Sequence, residues 1–162
     1  MHSLFDYLKD EHEHCDADFV RTESAVAAQR WDDALAAHRE FEAGHAAHLS
    51  FEEDKLFPEL DRHSGMMAGP TDVMRREHGQ LRRLLAAMGE ALRTHDSEAF
   101  YEQADLFRVM NHQHNQKEEN MLYPMADKLL GTRGVAMLQV ARDLQHGGQG
   151  CACARAAREA AS

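Results

Sequence analysis

The stretch HLSFEEDKLFP at residues 48–58 recurs as HNQKEENMLYP at residues 114–124. Both copies follow the pattern His-x-x-x-Glu-Glu-x-x-Leu-aromatic-Pro, and their matched positions are 66 residues apart. The dipeptide Glu-His repeats at the same offset, at residues 11–12 and 77–78. Repetition at one fixed offset indicates that the chain contains two copies of one structural unit. The matched residues that commonly bind metal ions are His12, His48 and Glu52 in the first copy, and His78, His114 and Glu118 in the second.

Apolar residues recur with helical spacing around both copies. The start of the chain lacks Gly and Pro and keeps a 3.6-residue apolar period, which predicts a first helix over residues 3–28. Asp32 or Asp33 is expected to cap a second helix, and Thr71 or Asp72 a third. Strict alternation of apolar and polar residues, which would indicate strands, does not occur. The further helices are predicted over residues 32–62, 71–93 and 98–130, with a short fifth helix over 132–145.

Four long helices with short connections predict an all-α fold, an up-down-up-down four-helix bundle. The repeat gives this bundle a pseudo-two-fold axis, which relates the first two helices to the third and fourth. Residues 1–146 are expected to form the bundle together with the short C-terminal helix, and residues 147–162 a flexible tail that contains Gly and Cys. Pro58 and Pro124 are predicted to kink the last turns of the second and fourth helices, because proline lacks an amide hydrogen.

The composition excludes several kinds of partner. Among 162 residues, 28 Asp and Glu outnumber 18 Lys and Arg, which gives a formal net charge of -10. Nucleic acids and anionic membranes are bound largely through Lys and Arg, so neither is an expected partner. No apolar run has the length of a membrane span, and the amino terminus does not resemble a secretory signal. The three Cys suit a reducing compartment, so a cytoplasmic location is expected.

Each repeated His-x-x-x-Glu pair can hold a metal ion. Residues four apart lie on one face of a helix, so His48 and Glu52 point to one place, as do His114 and Glu118. A single pair of this kind is more often a packing or surface feature, but repetition within an apolar seam favours metal binding. Buried carboxylates and imidazoles without partners would each cost on the order of several kcal/mol. Bound cations would remove that cost.

The first helix offers two candidates for the remaining ligand of its copy. His12 lies with Leu8 and Phe19 on the apolar face, whereas His14 lies on a mostly polar face. His12 is therefore the expected ligand. His78 occupies the matching place in the second copy and also follows a Glu.

The ligand types restrict the metal. Carboxylates and imidazoles without a repeated thiolate favour iron or manganese, with zinc as a further candidate. Two carboxylates can bridge two ions, which leaves two His for each ion and at least one open position on each. Dioxygen, nitric oxide, peroxide or water could bind at such positions.

Residues 3–130 resemble the hemerythrin-like, or HHE cation-binding, four-helix bundles, through the six residues named above. Ferritin-like bundles instead use Glu-x-x-His. The resemblance implies a carboxylate-bridged site for two non-haem iron ions, which an oxo group can also bridge. Oxygen-carrying members have a fifth His where Arg82 stands, and an Asp in place of Glu118. Four His and two Glu are more similar to the di-iron proteins linked to nitric-oxide stress and to the repair of iron centres.

Residues beside the expected site are candidates for secondary roles. His45 and its counterpart Asn111 could donate hydrogen bonds to the metal ligands, and His45 could itself be an extra ligand. Alternatively, both could be core residues that are hydrogen-bonded to their neighbours. Cys15 could tune a metal or be oxidised, although buried Cys usually packs as a small apolar residue. Cys151 and Cys153 could serve as a redox pair, or be incidental to a flexible tail.

Three functions are compatible with such a site. The favoured one is a di-iron protein that binds or senses dioxygen or nitric oxide, because open metal positions suffice for it. The second is an enzyme that acts on nitric oxide or peroxide, or an iron donor in the repair of iron-sulfur centres. An electron donor would be a partner for the enzyme. Simple metal storage is the third. The residues do not decide whether the protein is an enzyme, nor its oligomeric state.

Overall fold

A computed structural model describes residues 3–64 and 69–147, and within these residues it contains helices and no strand. This confirms the predicted all-α bundle with a short C-terminal helix. Residues 65–68 and the predicted tail from residue 148 onward, with Cys151 and Cys153, lie outside the described residues. The helices are α1 (Leu4–Ala27), α2 (Trp31–Phe51, Glu52–Leu56 and Phe57–Ser64), α3 (Pro70–Arg93), α4 (Ser97–Lys117, Glu118–Leu122 and Tyr123–Leu130) and α5 (Thr132–Gly147).

The helices pack as two hairpins that correspond to the two copies of the repeat. The most extensive contacts join α1 to α2 and α3 to α4, and α2 also packs against α3. The short C-terminal helix α5 packs against α1, α2 and the end of α4. In the described part of the chain, no helix is both long enough and apolar enough to cross a lipid bilayer.

Two apolar clusters fill the bundle, with a polar layer between them. Phe19, Phe41 and Phe107 form the centre of the first cluster, and the rings of Phe41 and Phe107 meet edge to face with centroids 5.5 Å apart. The second cluster contains Leu8 and Leu56. Each of the four long helices crosses from one cluster to the other. The polar residues at the crossing are therefore held in a fixed layer by close-packed side chains on both sides.

The helices α2 and α4 both contain a π-helical turn, at Glu52–Leu56 and Glu118–Leu122. In each turn the amide that follows, that of Phe57 or Tyr123, donates to the carbonyl of the Glu five residues earlier. A proline comes next in both copies. Proline has no amide hydrogen and clashes with the carbonyl four residues before it, so the wider turn accommodates a residue that a regular helix would not. The interruption predicted at the prolines thus takes the form of a π turn, and the helix continues beyond it.

The predictions of capping residues for α2 and α3 were wrong. The helix α2 begins after Arg30 without a side-chain cap, and the carboxylate of Asp33 instead pairs with Arg30 at 3.0 Å. The helix α3 begins after Gly69 with a proline, whose missing amide hydrogen would have had no helical partner there. The hydroxyl of Thr71 is buried and donates to Asp61 of α2 at 2.5 Å. A tertiary hydrogen bond therefore takes the place of the predicted local one.

Candidate metal centre

The six predicted ligands lie together in the polar layer, and all six are buried. Their ligand atoms form two groups, and within each group all atoms are within 4.8 Å of one another. Glu118 belongs to both groups. The first group consists of Glu52, His78, His114 and Glu118, and the second of His12, His48 and Glu118.

The four imidazoles form two equivalent pairs. In the first hairpin, Nε2 of His12 lies 3.1 Å from Nε2 of His48, and in the second, Nε2 of His78 lies 3.1 Å from Nε2 of His114. The ring centroids are 4.8 Å apart in both pairs. The sequence repeat is thus reproduced as a repeat in geometry, with two ring nitrogens converging in each half.

The two buried carboxylates connect the imidazole pairs. Oε2 of Glu118 lies 3.3 Å from Nε2 of His12, while its Oε1 lies 2.9 Å from Nε2 of His114. Oε2 of Glu52 lies 3.4 Å from Nε2 of His78 and 3.7 Å from Nε2 of His48. Each carboxylate therefore approaches both pairs, as expected of a group that bridges two ions.

Two of these carboxylate oxygens are placed as ligands of a cation would be. Oε2 of Glu52 and Oε1 of Glu118 are buried and accept no properly aligned hydrogen bond from the described residues. A buried acceptor without a donor is costly, and the cost is largest for a charged group. Metal ions between the carboxylates and the imidazoles would satisfy these oxygens. The donor set thus fits two cations.

The protonation equilibria of the cluster also favour positive charge. Burial disfavours an imidazolium, but hydrogen bonds and the charge of Glu118 outweigh burial and raise the pKa of His12 to about 9. Burial also lowers the pKa of His78, but hydrogen bonds and charges of Glu118 and Glu52 outweigh burial and raise that pKa to about 9. Burial likewise opposes the charge of Glu118, but His114 and the other imidazoles hold its pKa well below the usual value. Without a metal, protons compensate the buried carboxylates.

A second set of carboxylates orients the imidazoles from outside. Glu119 accepts from Nδ1 of His12 at 2.9 Å, and Glu53 accepts from Nδ1 of His78 at 2.8 Å. In the same way, Glu77 accepts from Nδ1 of His114 at 3.0 Å. A carboxylate can only accept, so Nδ1 carries a hydrogen, and Nε2 is the nitrogen whose lone pair a metal ion would bind in place of a proton. Such outer partners fix the tautomer and increase the basicity of metal-binding His.

Basic side chains hold these outer carboxylates in their charged form. Arg82 donates two hydrogen bonds to Glu53, at 2.8 and 3.0 Å, and Lys117 donates to Glu77. Burial raises the pKa of both carboxyls, but the basic partners outweigh burial, and both pKa values are lowered. Arg82 thus supports an outer carboxylate at the position where oxygen carriers have their fifth His.

Residues 3–126 match the family model for the hemerythrin HHE cation-binding domain. The chain belongs to this family. Comparisons with curated proteins and with solved structures gave no significant match. The match spans both copies of the repeat and therefore all six buried residues. The protein is accordingly a cation-binding helical bundle, and the buried His and Glu groups of its polar layer fit a metal site.

Tyr123 of this HHE domain reaches the same polar layer and was not among the predicted site residues. Its buried hydroxyl donates to Oε1 of Glu52 at 2.7 Å or to Oε2 of Glu118 at 3.1 Å. It also lies 3.2 Å from Nε2 of His12 and 3.5 Å from Nε2 of His48. Burial and the two carboxylates raise the pKa of Tyr123 well above its usual value.

The residues predicted to have secondary roles in the HHE domain lie beside the cluster. His45 donates from Nε2 to Oδ1 of Asn111 at 3.2 Å, and burial lowers the pKa of His45 to about 4. Cys15 is buried in the first apolar cluster. None of the three belongs to either group of converging ligand atoms in the described residues. The geometry supports a packing role for them better than ligation.

Proposed function

We propose that this HHE domain holds two non-haem iron ions and binds or senses dioxygen or nitric oxide. In this proposal His12 and His48 hold one ion, and His78 and His114 hold the other. Glu52 and the shared residue Glu118 bridge them. The observation that carries the proposal is the approach of one carboxylate, that of Glu118, to both imidazole pairs.

The donor types support iron. Four imidazole nitrogens and four carboxylate oxygens, without a thiolate in either group, suit iron or manganese better than a closed structural zinc site. Two nitrogens and two carboxylate oxygens for each ion leave coordination positions for a small molecule. Reduced non-haem iron with open positions binds dioxygen or nitric oxide.

The surroundings of the cluster restrict what can bind there. The apolar clusters above and below exclude bulk water, and the aromatic rings of Phe57 and Tyr123 stack on His78 and His12. A buried layer of this kind suits a diatomic ligand or peroxide better than a larger substrate. Burial of all six donors also favours retention of the ions over their delivery to another protein. The cytoplasmic location and the exclusion of nucleic acid as a partner remain predictions from the sequence.

Anaerobic reconstitution with ferrous iron tests this proposal. Wild-type protein is expected to bind two iron ions per chain, whereas His48→Ala and Glu118→Ala are expected to bind fewer. His112→Ala is the matched control, because His112 lies on α4 near the site but is exposed. Exposure of the reduced, loaded protein to nitric oxide and then to oxygen should produce iron-nitrosyl and ferric spectra. Iron binding that both substitutions leave intact would refute the proposal.

A further inference from the structure

The matched aromatic residues of the two halves of the site differ by one oxygen atom. Phe57 and Tyr123 occupy matched positions 66 residues apart, and both are buried. The ring of Phe57 stacks on His78 with centroids 5.4 Å apart, and that of Tyr123 on His12 at 5.8 Å. The interplanar angles are 29° and 27°. The same ring geometry therefore presents a hydroxyl to the first half and only a carbon edge to the second.

The Tyr123 hydroxyl lies among the donors expected to surround one ion. The four atoms within 3.5 Å of it belong to both His of the first pair and to both bridging carboxylates. An oxygen that contacts every donor of one ion is close enough to be a donor to that ion itself. Phenolate oxygen is a known ligand of iron in proteins.

We propose that Tyr123 is a fifth protein ligand of the ion held by His12 and His48. This proposal rests on the di-iron function proposed above. On coordination the O–H bond of the phenol is replaced by an oxygen–metal bond, and the proton leaves to solvent, as in other metal sites with acidic ligands. Its hydrogen bonds to Glu52 and Glu118 are then lost, and both carboxylates turn to the ions.

The proposal makes the two ions inequivalent. The first ion has two nitrogens, two carboxylate oxygens and the phenolate, whereas the second, held by His78 and His114, has no matching donor because Phe57 stands there. The second ion therefore keeps one more open coordination position than the first, and an added diatomic ligand should bind there preferentially. The preference of the diatomic ligand for one of the two ions would come from a single side chain, that of Tyr123.

Ferric protein provides the first test. Wild-type protein loaded with iron(III) should show a visible phenolate-to-iron charge-transfer band, with tyrosinate ring vibrations enhanced by excitation into that band. Tyr123→Phe should lose the band but still bind two iron ions per chain. Tyr101→Phe is the control and should keep it, because Tyr101 is 37% exposed on the outer surface of α4. Phe57→Tyr should add a second phenolate and strengthen the band.

Nitric oxide binding by the reduced protein provides the second test. At a fixed subsaturating concentration, wild type should bind less nitric oxide per chain than Tyr123→Phe and more than Phe57→Tyr, because each phenolate removes one open position. Two loaded irons with no tyrosinate band, or with a band that survives in Tyr123→Phe, would overturn the role of Tyr123 and leave the di-iron function standing. Failure of wild type to bind iron would instead refute the function itself. If Tyr123→Phe does not fold, ring-deuterated tyrosine in a variant with Tyr7→Phe and Tyr101→Phe decides, because the enhanced vibrations must then shift if they come from Tyr123.

Discussion

Glu118 on α4 lies 3.3 Å from His12 on α1, measured from Oε2 to Nε2. This contact joins the second copy of the repeat to the first, since the two residues come from different hairpins. The other carboxylate oxygen faces an imidazole of its own hairpin. Glu118 is consequently, with Glu52, one of the two side chains that connect the halves of the site.

Substitution of Glu118 should affect both ions. Glu118→Gln keeps the size of the side chain but removes the charge that two ions would share, and iron content should fall from two per chain to below one. Glu98→Gln, at an exposed position in the first turn of α4, is the control and should keep both ions. Metal analysis after anaerobic reconstitution and desalting measures this. Loss of only one ion would show that Glu118 does not bridge.

The outer carboxylates should tune affinity without setting the number of ions. Glu53→Gln weakens the acceptor of His78 Nδ1 and breaks the ion pair with Arg82. Loss of such outer partners reduces metal affinity by about 10- to 100-fold. Competition with a chelator of known affinity should detect this decrease. Glu90→Gln is the matched control, because Glu90 is exposed and pairs with Arg93 on the bundle surface, away from the cluster. Equal affinities for the two variants would contradict the expected role.

Stability of the metal-free protein should decrease as pH rises from neutral to alkaline. The pKa values of His12 and His78 are about 9, above the usual 6.5, so folding is favoured by protonation of both. Their contribution is fully present below pH 6.5 and is lost as pH rises through 9. It is on the order of a few kcal/mol in total. Thermal unfolding of metal-free and iron-loaded protein across this range measures it.

The iron-loaded protein should lose less stability over the same range, because the ions replace the protons as counter-charges of the carboxylates. A metal-free protein whose unfolding temperature is constant from pH 6.5 to 9 would contradict the charge balance described for the cluster.

His45 should not be a ligand. Its Nε2 donates to Asn111, and neither residue belongs to the converging groups. His45→Asn, which copies the residue at the matched position, should therefore keep two iron ions per chain. The cost should appear only in the free energy of unfolding, at about 1 to 3 kcal/mol for a changed buried hydrogen bond. A fall to one ion per chain would assign His45 to the metal instead.

The fold and the six-residue cluster could be predicted from the sequence because both depend on periodicity. Helical spacing places residues four apart on one face, and the repeat identifies which polar residues on that face are matched. The paired Glu of the outer set, Glu53 and Glu119, were visible in the same repeat. Their role could not be assigned, because it depends on which neighbouring helix each side chain faces.

Tyr123 could not be predicted because the π turn changes the helical phase. In a regular α-helix, a residue five positions after Glu118 lies about 140° around the axis from it. The wider π turn brings position five closer to the face of position zero, and the hydroxyl lies 3.1 Å from the carboxylate. The predictions of the caps of α2 and α3 were wrong for a different reason. The side chain of Thr71 donates to Asp61 of another helix, and local sequence rules do not include such tertiary partners.

X-ray absorption at the iron edge of the reconstituted wild-type protein tests the central claim most directly. Two buried imidazole pairs joined by shared carboxylates predict nitrogen and oxygen ligands only, with a second iron at about 3.5 to 4 Å, as in other two-metal sites. A single iron without a metal neighbour, or sulfur in its coordination shell, would contradict the site described here.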